Sequence, residues 1–203
     1  NKGLVIGADL LSRIIDWRDR STCVLFGDGA GAVVVGETAP DYGVLATYLG
    51  SDGSGAESLI IPAGGSRKPF DEEALAAGEH YLRMTGNEVF KFAVRIMEDA
   101  TREVLRRAGL TPDDIDLFVP HQANIRIIEA AAKRLGVEED RIVVNVQRYG
   151  NTSAASIPIA LGEAVEEGRL KEGHRIVAVG FGAGLTWGAA ALRWGRGPAG
   201  GAP

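Results

Sequence analysis

Apolar residues along this chain fall either into short continuous runs or into longer stretches with helical spacing. Leu4 to Ala8 is a short apolar run that predicts a buried strand, and we expect further chain before it because no turn or cap precedes it. From Val89 to Ala108 apolar residues recur every three or four positions, which predicts a helix with one buried face that ends at Gly109. The same spacing predicts a helix from about Asn124 to Leu135, ended by Gly136.

Two segments share one pattern, in which an apolar strand, a glycine-rich turn and a second apolar strand follow each other. They are Cys23 to Val35 and Ile176 to Ala190, and both contain Phe-Gly-x-Gly. This repetition favours an internal duplication, with the first copy ending one half of a protein and the second copy ending the other.

Shorter patterns fill the segments between these elements. Apolar runs predict strands from Ile115 to Val119 and from Arg141 to Val146, and Thr85 to Glu88 fits a capping box before the first long helix. Asn151 to Ser153 can cap a helix that reaches about Glu167, provided that Pro158 lies in or close to its first turn. Strands that alternate with helices predict a layered α/β fold, with a buried, largely parallel sheet and an antiparallel final pair.

Turn-forming residues indicate where the chain divides. A turn-rich segment covers Glu37 to Gly43, and a long loop with glycine, proline and charge covers about Ser51 to Gly78. We therefore predict that residues 1–38 end the first half, that residues 39–194 form the second half, and that residues 195–203 form a flexible tail.

Composition and charge exclude several classes of function. The net charge of -5 gives no cationic footprint for nucleic acid, so an anionic partner must meet a local patch. No apolar run approaches the roughly 18 residues of a membrane-spanning helix, and no signal-peptide pattern is present, so a cytoplasmic protein is expected. A single cysteine excludes an intrachain disulfide, and the three histidines lack metal-ligand spacing.

The glycine-rich turns do not indicate a nucleotide site. Gly27-x-Gly29-x-Gly31 and Gly180-x-Gly182-x-Gly184 lack the third-glycine spacing of the dinucleotide motif, and each precedes a strand instead of a helix. Without a helix N-terminus no cradle for phosphate forms. We expect glycine here to allow backbone to approach backbone, or an amide to face a reacting atom.

His121 and Asn151 are the sharpest candidates for chemistry. Each follows a predicted strand and precedes a predicted helix, and the carboxyl ends of parallel strands are where α/β proteins build sites. A neutral imidazole N–H and an amide N–H aimed at one point form a donor pair suited to a developing oxyanion. The alternative is that each of the two residues only caps the helix that follows it.

A set of motifs occurs in order along most of the chain. They are Phe26–Ala32 (FGDGAGA), Gly86–Lys91 (GNEVFK), Val119–Asn124 (VPHQAN), Gly150–Ser156 (GNTSAAS) and Phe181–Gly188 (FGAGLTWG). Together they resemble β-ketoacyl-acyl carrier protein synthase III, a condensing enzyme of the thiolase fold, from about Val5 to Trp194. The ordered set is far more specific than any one motif.

The resemblance implies a layered α-β-α-β-α architecture of two similar halves, of which this chain would hold the end of the first and the whole of the second. It also implies a cytoplasmic homodimer that starts type II fatty-acid synthesis, by decarboxylative Claisen condensation of an acyl-coenzyme A primer with malonyl-acyl carrier protein. Coenzyme A thioester is then a substrate and acyl carrier protein a partner, and neither a further cofactor nor a metal is expected.

The family's catalytic triad of cysteine, histidine and asparagine maps onto this chain in part. The resemblance assigns His121 and Asn151 to hydrogen bonds with the malonyl thioester carbonyl, and the backbone N–H of Ala183 to the oxyanion hole. It also implies a set of substrate-binding positions, which are Asn87, Phe90, Asn124 and Ile127 beside the pantetheine arm and Arg20 beside the nucleotide end of coenzyme A.

Docking of an acidic carrier protein requires a local cationic face. Arg126 and Lys133 are seven residues apart on one predicted helix, hence on one face, and Arg134 adjoins them. The resemblance implies that this helix and Lys91 contact the carrier protein. The alternative is that Glu129 pairs with Arg126 and Lys133 on an ordinary solvated face.

Cys23 is not expected to be the nucleophile. It lies in an apolar run that leads into a glycine turn, whereas a catalytic cysteine needs a strand-to-helix junction, where the helix N-terminus lowers the thiol pKa. The chain as it stands is therefore expected not to form an acyl-enzyme. The alternatives that stay open are another thiolase-fold condensing enzyme, similar to polyketide synthases or to hydroxymethylglutaryl-coenzyme A synthase, and a non-catalytic module that binds coenzyme A or acyl carrier protein.

Overall fold

The computed structural model describes residues 1–195. Its strands are β1 (Lys2–Asp9), β2 (Gly29–Gly36), β3 (Gly43–Ser51), β4 (Leu59–Ile60), β5 (Arg83–Met84), β6 (Leu117–Pro120), β7 (Arg175–Gly182) and β8 (Thr186–Arg193). Its helices are α1 (Glu72–Ala76), α2 (Gly86–Ala108), α3 (Ile125–Leu135), α4 (Val146–Tyr149) and α5 (Ser156–Glu166). The predicted tail, 195–203, lies outside the described residues apart from Gly195.

The main sheet has four strands in the order β3, β8, β7 and β6. β6 runs parallel to β7, whereas β8 is antiparallel to both β7 and β3. The predicted antiparallel final pair is therefore confirmed, but the prediction of a largely parallel sheet is wrong.

One of the predicted strands, Arg141 to Val146, does not form. Ile142 makes a single bridge to Phe118, and α4 begins at Val146. The side chain of Gln122 hydrogen-bonds the backbone of Val143, Asn145 and Val146, so these groups are not free to extend the sheet. The apolar side chains nevertheless enter the core, which explains the strand-like pattern.

Helices cover both faces of the main sheet. Residues of α2 and α3, such as Met97 and Ile128, pack with Phe118 and Val177, which point to one face. Residues of α5 pack with Leu117 and Val119, which alternate with Phe118 along β6 and so point to the other face. The sheet is thus the middle of a three-layer core.

β1 and β2 form a separate antiparallel sheet that packs against the other side of α5. The strands lie so close to α5 and to the turn before it that glycine is required at the points of contact. A Cβ at Gly7 would lie 2.2 Å from the carbonyl oxygen of Ala154, and one at Gly31 would lie 3.0 Å from Pro158. The described layers are therefore α2 with α3, the main sheet, α5, and the β1–β2 sheet.

The far face of the β1–β2 sheet is exposed. Leu4 and Ile6 are 59% and 61% exposed, and Val34, which pairs with Leu4, is 67% exposed. The predicted strand is confirmed, but its predicted burial is wrong within residues 1–195. An apolar run indicates a strand through local preferences, whereas burial depends on what packs against it.

The first of the two predicted hairpins is also wrong. Cys23 to Leu25 form turns, Phe26 makes only a single bridge to Asn151, and β2 pairs with β1 instead. The second hairpin is confirmed, because β7 and β8 pair directly. Because only the second segment forms a hairpin, the pattern that the two segments share in sequence does not correspond to the same local structure.

The predicted helices are confirmed, and α2 and α3 lie close to their expected bounds. The predicted cap of α5 is wrong: a 3-10 turn (Ser153–Ala155) precedes the helix, whose N-cap is Ala155 without a side-chain hydrogen bond. Gly109 and Gly136 end α2 and α3 in the left-handed region, at φ values of 69° and 74°. Pro158 is the third residue of α5, in its first turn, as required. The capping box of α2 is wrong: Thr85 makes no side-chain cap, and the Glu88 carboxylate accepts a hydrogen bond from the Ser58 hydroxyl at 2.6 Å.

The predicted loop from Ser51 to Gly78 contains a 3-10 turn (Gly53–Ser58), β4 and α1. The predicted division at residues 38 and 39 falls between β2 and β3, which belong to different sheets, and stays a prediction.

None of the described helices combines the length and the apolar character needed to cross a bilayer.

Candidate active site

A cavity of about 460 Å³ opens where the ends of β6 and β7 meet the first turns of α2 and α3. His121, Asn151 and Ala183 all line it. Its apolar wall includes Leu11, Leu25, Leu82 and Met84. The structure therefore brings the three candidate catalytic groups, which are distant in sequence, to one concave site.

His121 is buried beside the end of β6. Its backbone N–H donates to the carbonyl oxygen of Val179 at 2.8 Å, and its ring contacts the edge of the Phe181 ring at a centroid distance of 5.4 Å. The residue is 8% exposed, and this burial lowers the pKa of the imidazole to about 4. At neutral pH the ring is consequently uncharged and carries a single N–H.

Gln122 fixes the turn that presents His121. It is 1% exposed, and its amide nitrogen donates to the carbonyl oxygens of Pro120 and Val143 at 2.8 and 3.0 Å. Its amide oxygen accepts from the backbone N–H groups of Asn145 and Val146 at 2.8 and 3.2 Å. A buried amide with all these partners holds the turn rigidly. The sequence motif contains Gln122, but nothing in it indicates this role.

Asn151 is held by a short backbone ladder. Its N–H donates to Leu25 O at 2.8 Å, and its carbonyl oxygen accepts from Gly27 N at 2.9 Å. The side-chain oxygen of Asn151 accepts from the backbone N–H of Ser153 at 2.9 Å, which leaves its NH2 group available to the cavity. Ser153 has a φ of 51°, a strained value for a residue that is not glycine, and this hydrogen bond supports it.

Ala183 lies in the connection between β7 and β8 and lines the cavity. Among the non-glycine residues from 1 to 195, only Ser153 has a positive φ. An alanine at position 183 therefore fits the backbone without strain, and its N–H can serve as a donor.

The predicted pantetheine-side positions meet at the same cavity. Asn87, Phe90, Asn124 and Ile127 all line it. Asn124 also caps α3, by accepting a hydrogen bond from the backbone N–H of Arg126 at 2.9 Å. Arg20 is exposed and does not line the cavity, although the neighbouring Ser21 does.

Of the four predicted docking cations, Arg126 lines the cavity and the other three do not. The guanidinium of Arg126 lies over the Phe90 ring, 5.6 Å from its centroid, at the cavity wall. Lys91 is exposed and shares a groove with Arg134, whose guanidinium lies 3.5 Å from the Glu98 carboxylate. Lys133 is exposed on α3, and within the described part of the chain Glu129 forms no ion pair with it or with Arg126.

Cys23 is half-buried in a turn and is not part of the cavity lining. No helix begins after it, because Phe26 and Gly27 lead into β2. The geometry agrees with the expectation that Cys23 is not the nucleophile.

Burial of His121 makes stability depend on pH. Its pKa is about 4 in the folded state and about 6.5 when unfolded, so the unfolded chain gains a proton first as the pH falls. We expect a loss on the order of 3 kcal/mol in the free energy of unfolding between roughly pH 6.5 and pH 4. Urea unfolding measured across this pH range should show a smaller loss in the free energy of unfolding for a His121→Gln variant than for the unmodified protein. Equal losses in the two proteins would contradict the assigned burial.

Comparisons with known proteins identify the family to which these motifs belong. A family model described as 3-oxoacyl-[acyl-carrier-protein] synthase III matches residues 1–53, and the model of the C-terminal part of the same family matches residues 105–194. A β-ketoacyl-[acyl-carrier-protein] synthase III from Symbiobacterium thermophilum is 58% identical over 193 residues, covering 95% of this chain and 58% of the relative. The chain thus spans a little more than half the length of the curated relatives it matches.

Solved structures agree with this result. The synthase III of Thermus thermophilus is 55% identical with a TM-score of 0.85, and the match covers 96% of this chain and 59% of that one. The priming β-ketosynthase of the R1128 polyketide pathway is 39% identical with a TM-score of 0.83, covering 97% and 58%. The predicted thiolase-like α/β fold is confirmed by these neighbours.

Proposed function

The chain belongs to the 3-oxoacyl-acyl carrier protein synthase III family, and from this premise we propose that it carries the malonyl-binding side of a condensing active site. The proposed reaction is the decarboxylative Claisen condensation of an acyl-coenzyme A primer with malonyl-acyl carrier protein, which starts type II fatty-acid synthesis. The single observation that carries the proposal is that a neutral, buried His121 and the amide of Asn151 line one cavity.

In the proposed chemistry, His121 and Asn151 donate hydrogen bonds to the thioester carbonyl of the malonyl group. The bond between the carboxylate and the α-carbon breaks, carbon dioxide leaves, and the electron pair forms an enolate on that thioester. The two donors stabilise the negative charge on the enolate oxygen. Because the histidine is neutral at working pH, it acts as a donor without first needing a proton from solvent.

The enolate carbon then attacks an acyl thioester held on an enzyme cysteine, and the cysteine thiolate leaves. The N–H of Ala183 is proposed to stabilise the oxyanion of that step. Within residues 1–195 no cysteine lines the cavity, so in the proposed reaction the thiol reaches it from elsewhere in a full-length enzyme. The acyl-coenzyme A primer loads this thiol and releases coenzyme A, and no further cofactor is required.

The pantetheine arm common to coenzyme A and acyl carrier protein is proposed to run along Asn87, Phe90, Asn124 and Ile127, which supply two amides and an apolar surface. Arg20 is proposed to meet the nucleotide end of coenzyme A outside the cavity, where its exposed guanidinium can pair with phosphate. A homodimer and a cytoplasmic location are proposed from the family resemblance.

We propose that acyl carrier protein docks on the cationic residues Lys91, Arg126, Lys133 and Arg134. Charge reversal at Arg126 and Lys133 in a full-length synthase is expected to raise KM for malonyl-carrier protein about tenfold, because it removes two charges that face an acidic partner. KM for the coenzyme A primer should rise far less, because of the two residues only Arg126 lines the cavity. Steady-state kinetics with each substrate varied in turn measures both constants.

A matched control reverses one arginine and one lysine elsewhere. Arg106 lies near the end of α2 and Lys171 precedes β7, both at the ends of elements opposite to the cavity. The double variant Arg106→Glu with Lys171→Glu should leave both constants near their original values. If the control raises KM as much as the docking variant does, the effect is one of net charge and the docking site is wrong.

A further inference from the structure

Ser156 stands out among the buried polar groups to which no function has yet been given. Its hydroxyl oxygen lies 2.6 Å from Nδ1 of His121, and the residue is 1% exposed. We propose that Ser156 is a positioning residue, which holds His121 in the tautomer that carries its proton on Nε2. The consequence for catalysis rests on the proposed function, whereas the tautomer itself does not.

The direction of the hydrogen bonds follows from the donors present. The backbone N–H of Gln122 can only donate, and it points to the Ser156 oxygen at 3.3 Å. The serine hydroxyl therefore accepts there and must place its own proton elsewhere. Within residues 1–195 its one other hydrogen-bonding partner is Nδ1 of His121.

With a proton on Nδ1, the serine oxygen would accept from both that N–H and the N–H of Gln122, and the serine proton would have no acceptor among the described residues. A buried O–H donor without an acceptor costs about 1–3 kcal/mol. When Nδ1 is unprotonated it accepts the serine proton, and every polar atom of this group is satisfied. The neutral ring must then carry its proton on Nε2, which forms no hydrogen bond with a described residue and so remains for a ligand in the cavity.

The position of Ser156 is fixed by the fold. It is the first residue of α5, an eleven-residue helix that is clamped between the two sheets. The partial positive charge at the start of a helix also disfavours a protonated nitrogen beside it. The Ser156 hydroxyl and the N-terminus of α5 therefore both disfavour a proton on Nδ1 of His121.

The direct test is nuclear magnetic resonance of ¹⁵N-histidine-labelled protein, in which two-bond couplings distinguish the tautomers. In the unmodified chain, His121 should show the Nε2–H form. In Ser156→Ala the preference should be lost, with a mixture of tautomers or mainly the Nδ1–H form. Ser156→Thr keeps the hydroxyl and should retain the original tautomer. Finding Nδ1–H in the unmodified protein would overturn the proposal, whether or not any variant folds.

A second readout connects the tautomer with catalysis. In a full-length synthase, Ser156→Ala is expected to lower kcat for malonyl decarboxylation about 10-fold to 100-fold, the usual effect of removing a partner that orients a site residue. KM should change little, and Ser156→Thr should restore most of the rate. An unchanged tautomer together with an unchanged rate in Ser156→Ala would contradict the positioning role.

Thr101 supplies the matched control. Its hydroxyl is also buried, but it has no hydrogen-bond partner among the described residues. Thr101→Val removes a hydroxyl from the core without touching His121, so tautomer and rate should both stay unchanged. If the tautomer is correct but no condensing activity is found with any variant, the proposed function fails while the assignment to Ser156 stands.

Discussion

Replacing His121 or Asn151 by alanine in a full-length synthase is expected to slow malonyl decarboxylation by about 10²-fold to 10³-fold, the usual effect of losing one oxyanion donor. Transfer of the primer to the enzyme cysteine should remain largely intact, because the two donors act on the malonyl thioester. Release of labelled carbon dioxide measures the first half-reaction, and mass spectrometry of the acyl-enzyme measures the second.

The control for this experiment is another histidine. His174 lies just before β7, at the end of that strand opposite to the cavity, and His174→Ala should leave both half-reactions unchanged. Equal loss of decarboxylation and primer transfer in the His121 and Asn151 variants would contradict their assigned roles. Such a result would indicate general damage to the site.

Gly27→Ala is expected to produce the largest loss of stability. A Cβ at this position would lie 2.1 Å from the carbonyl oxygen of Tyr149, so one of the two backbone segments must move. The same segments form the ladder that holds Asn151. We expect the free energy of unfolding to fall by roughly 3 kcal/mol, because the added methyl group overpacks a site between two backbone segments. We also expect the rate of decarboxylation to fall about 10²-fold, because Asn151 is displaced.

The matched control is Gly162, which lies within α5 and has open space where a Cβ would be. Gly162→Ala should raise stability by roughly 0.5–1 kcal/mol, because alanine favours the helix more than glycine does. Chemical unfolding of both variants measures the two opposite effects. A Gly27→Ala protein as stable and active as the original would show that the close approach of Gly27 to Tyr149 is wrong.

The helices could be predicted from the sequence because their evidence is local. Helical spacing and the glycines at positions 109 and 136 specify α2 and α3 without reference to the rest of the chain. Short apolar runs are less informative, since a strand and a buried irregular segment both bury such residues. Arg141 to Val146, which buries Ile142 and Val143, is therefore predicted wrongly as a strand. Cys23 to Phe26 is also predicted wrongly as a strand, but burial does not explain that run, because Val24 is 63% exposed.

The candidate site could be predicted in part. The motifs identify His121 and Asn151, but the residues that orient them are determined by tertiary hydrogen bonds that span many positions. Gln122 reaches Asn145, and Ser156 reaches His121, 35 residues earlier in the chain. No pattern of spacing in one sequence specifies such partners. The exposed face of β1 and β2 is a similar case, because local pattern predicts a strand but not what covers it.

The most direct measurement is the infrared carbonyl band of a bound, non-decarboxylating malonyl thioester analogue labelled with ¹³C at the thioester carbonyl. Hydrogen bonds from His121 and Asn151 weaken that carbonyl, so the band should lie at lower frequency on the unmodified synthase than in water. It should move part of the way back in each single alanine variant and fully in the double variant. A band at the same frequency in the unmodified and double-variant enzymes would contradict the assignment of these two donors.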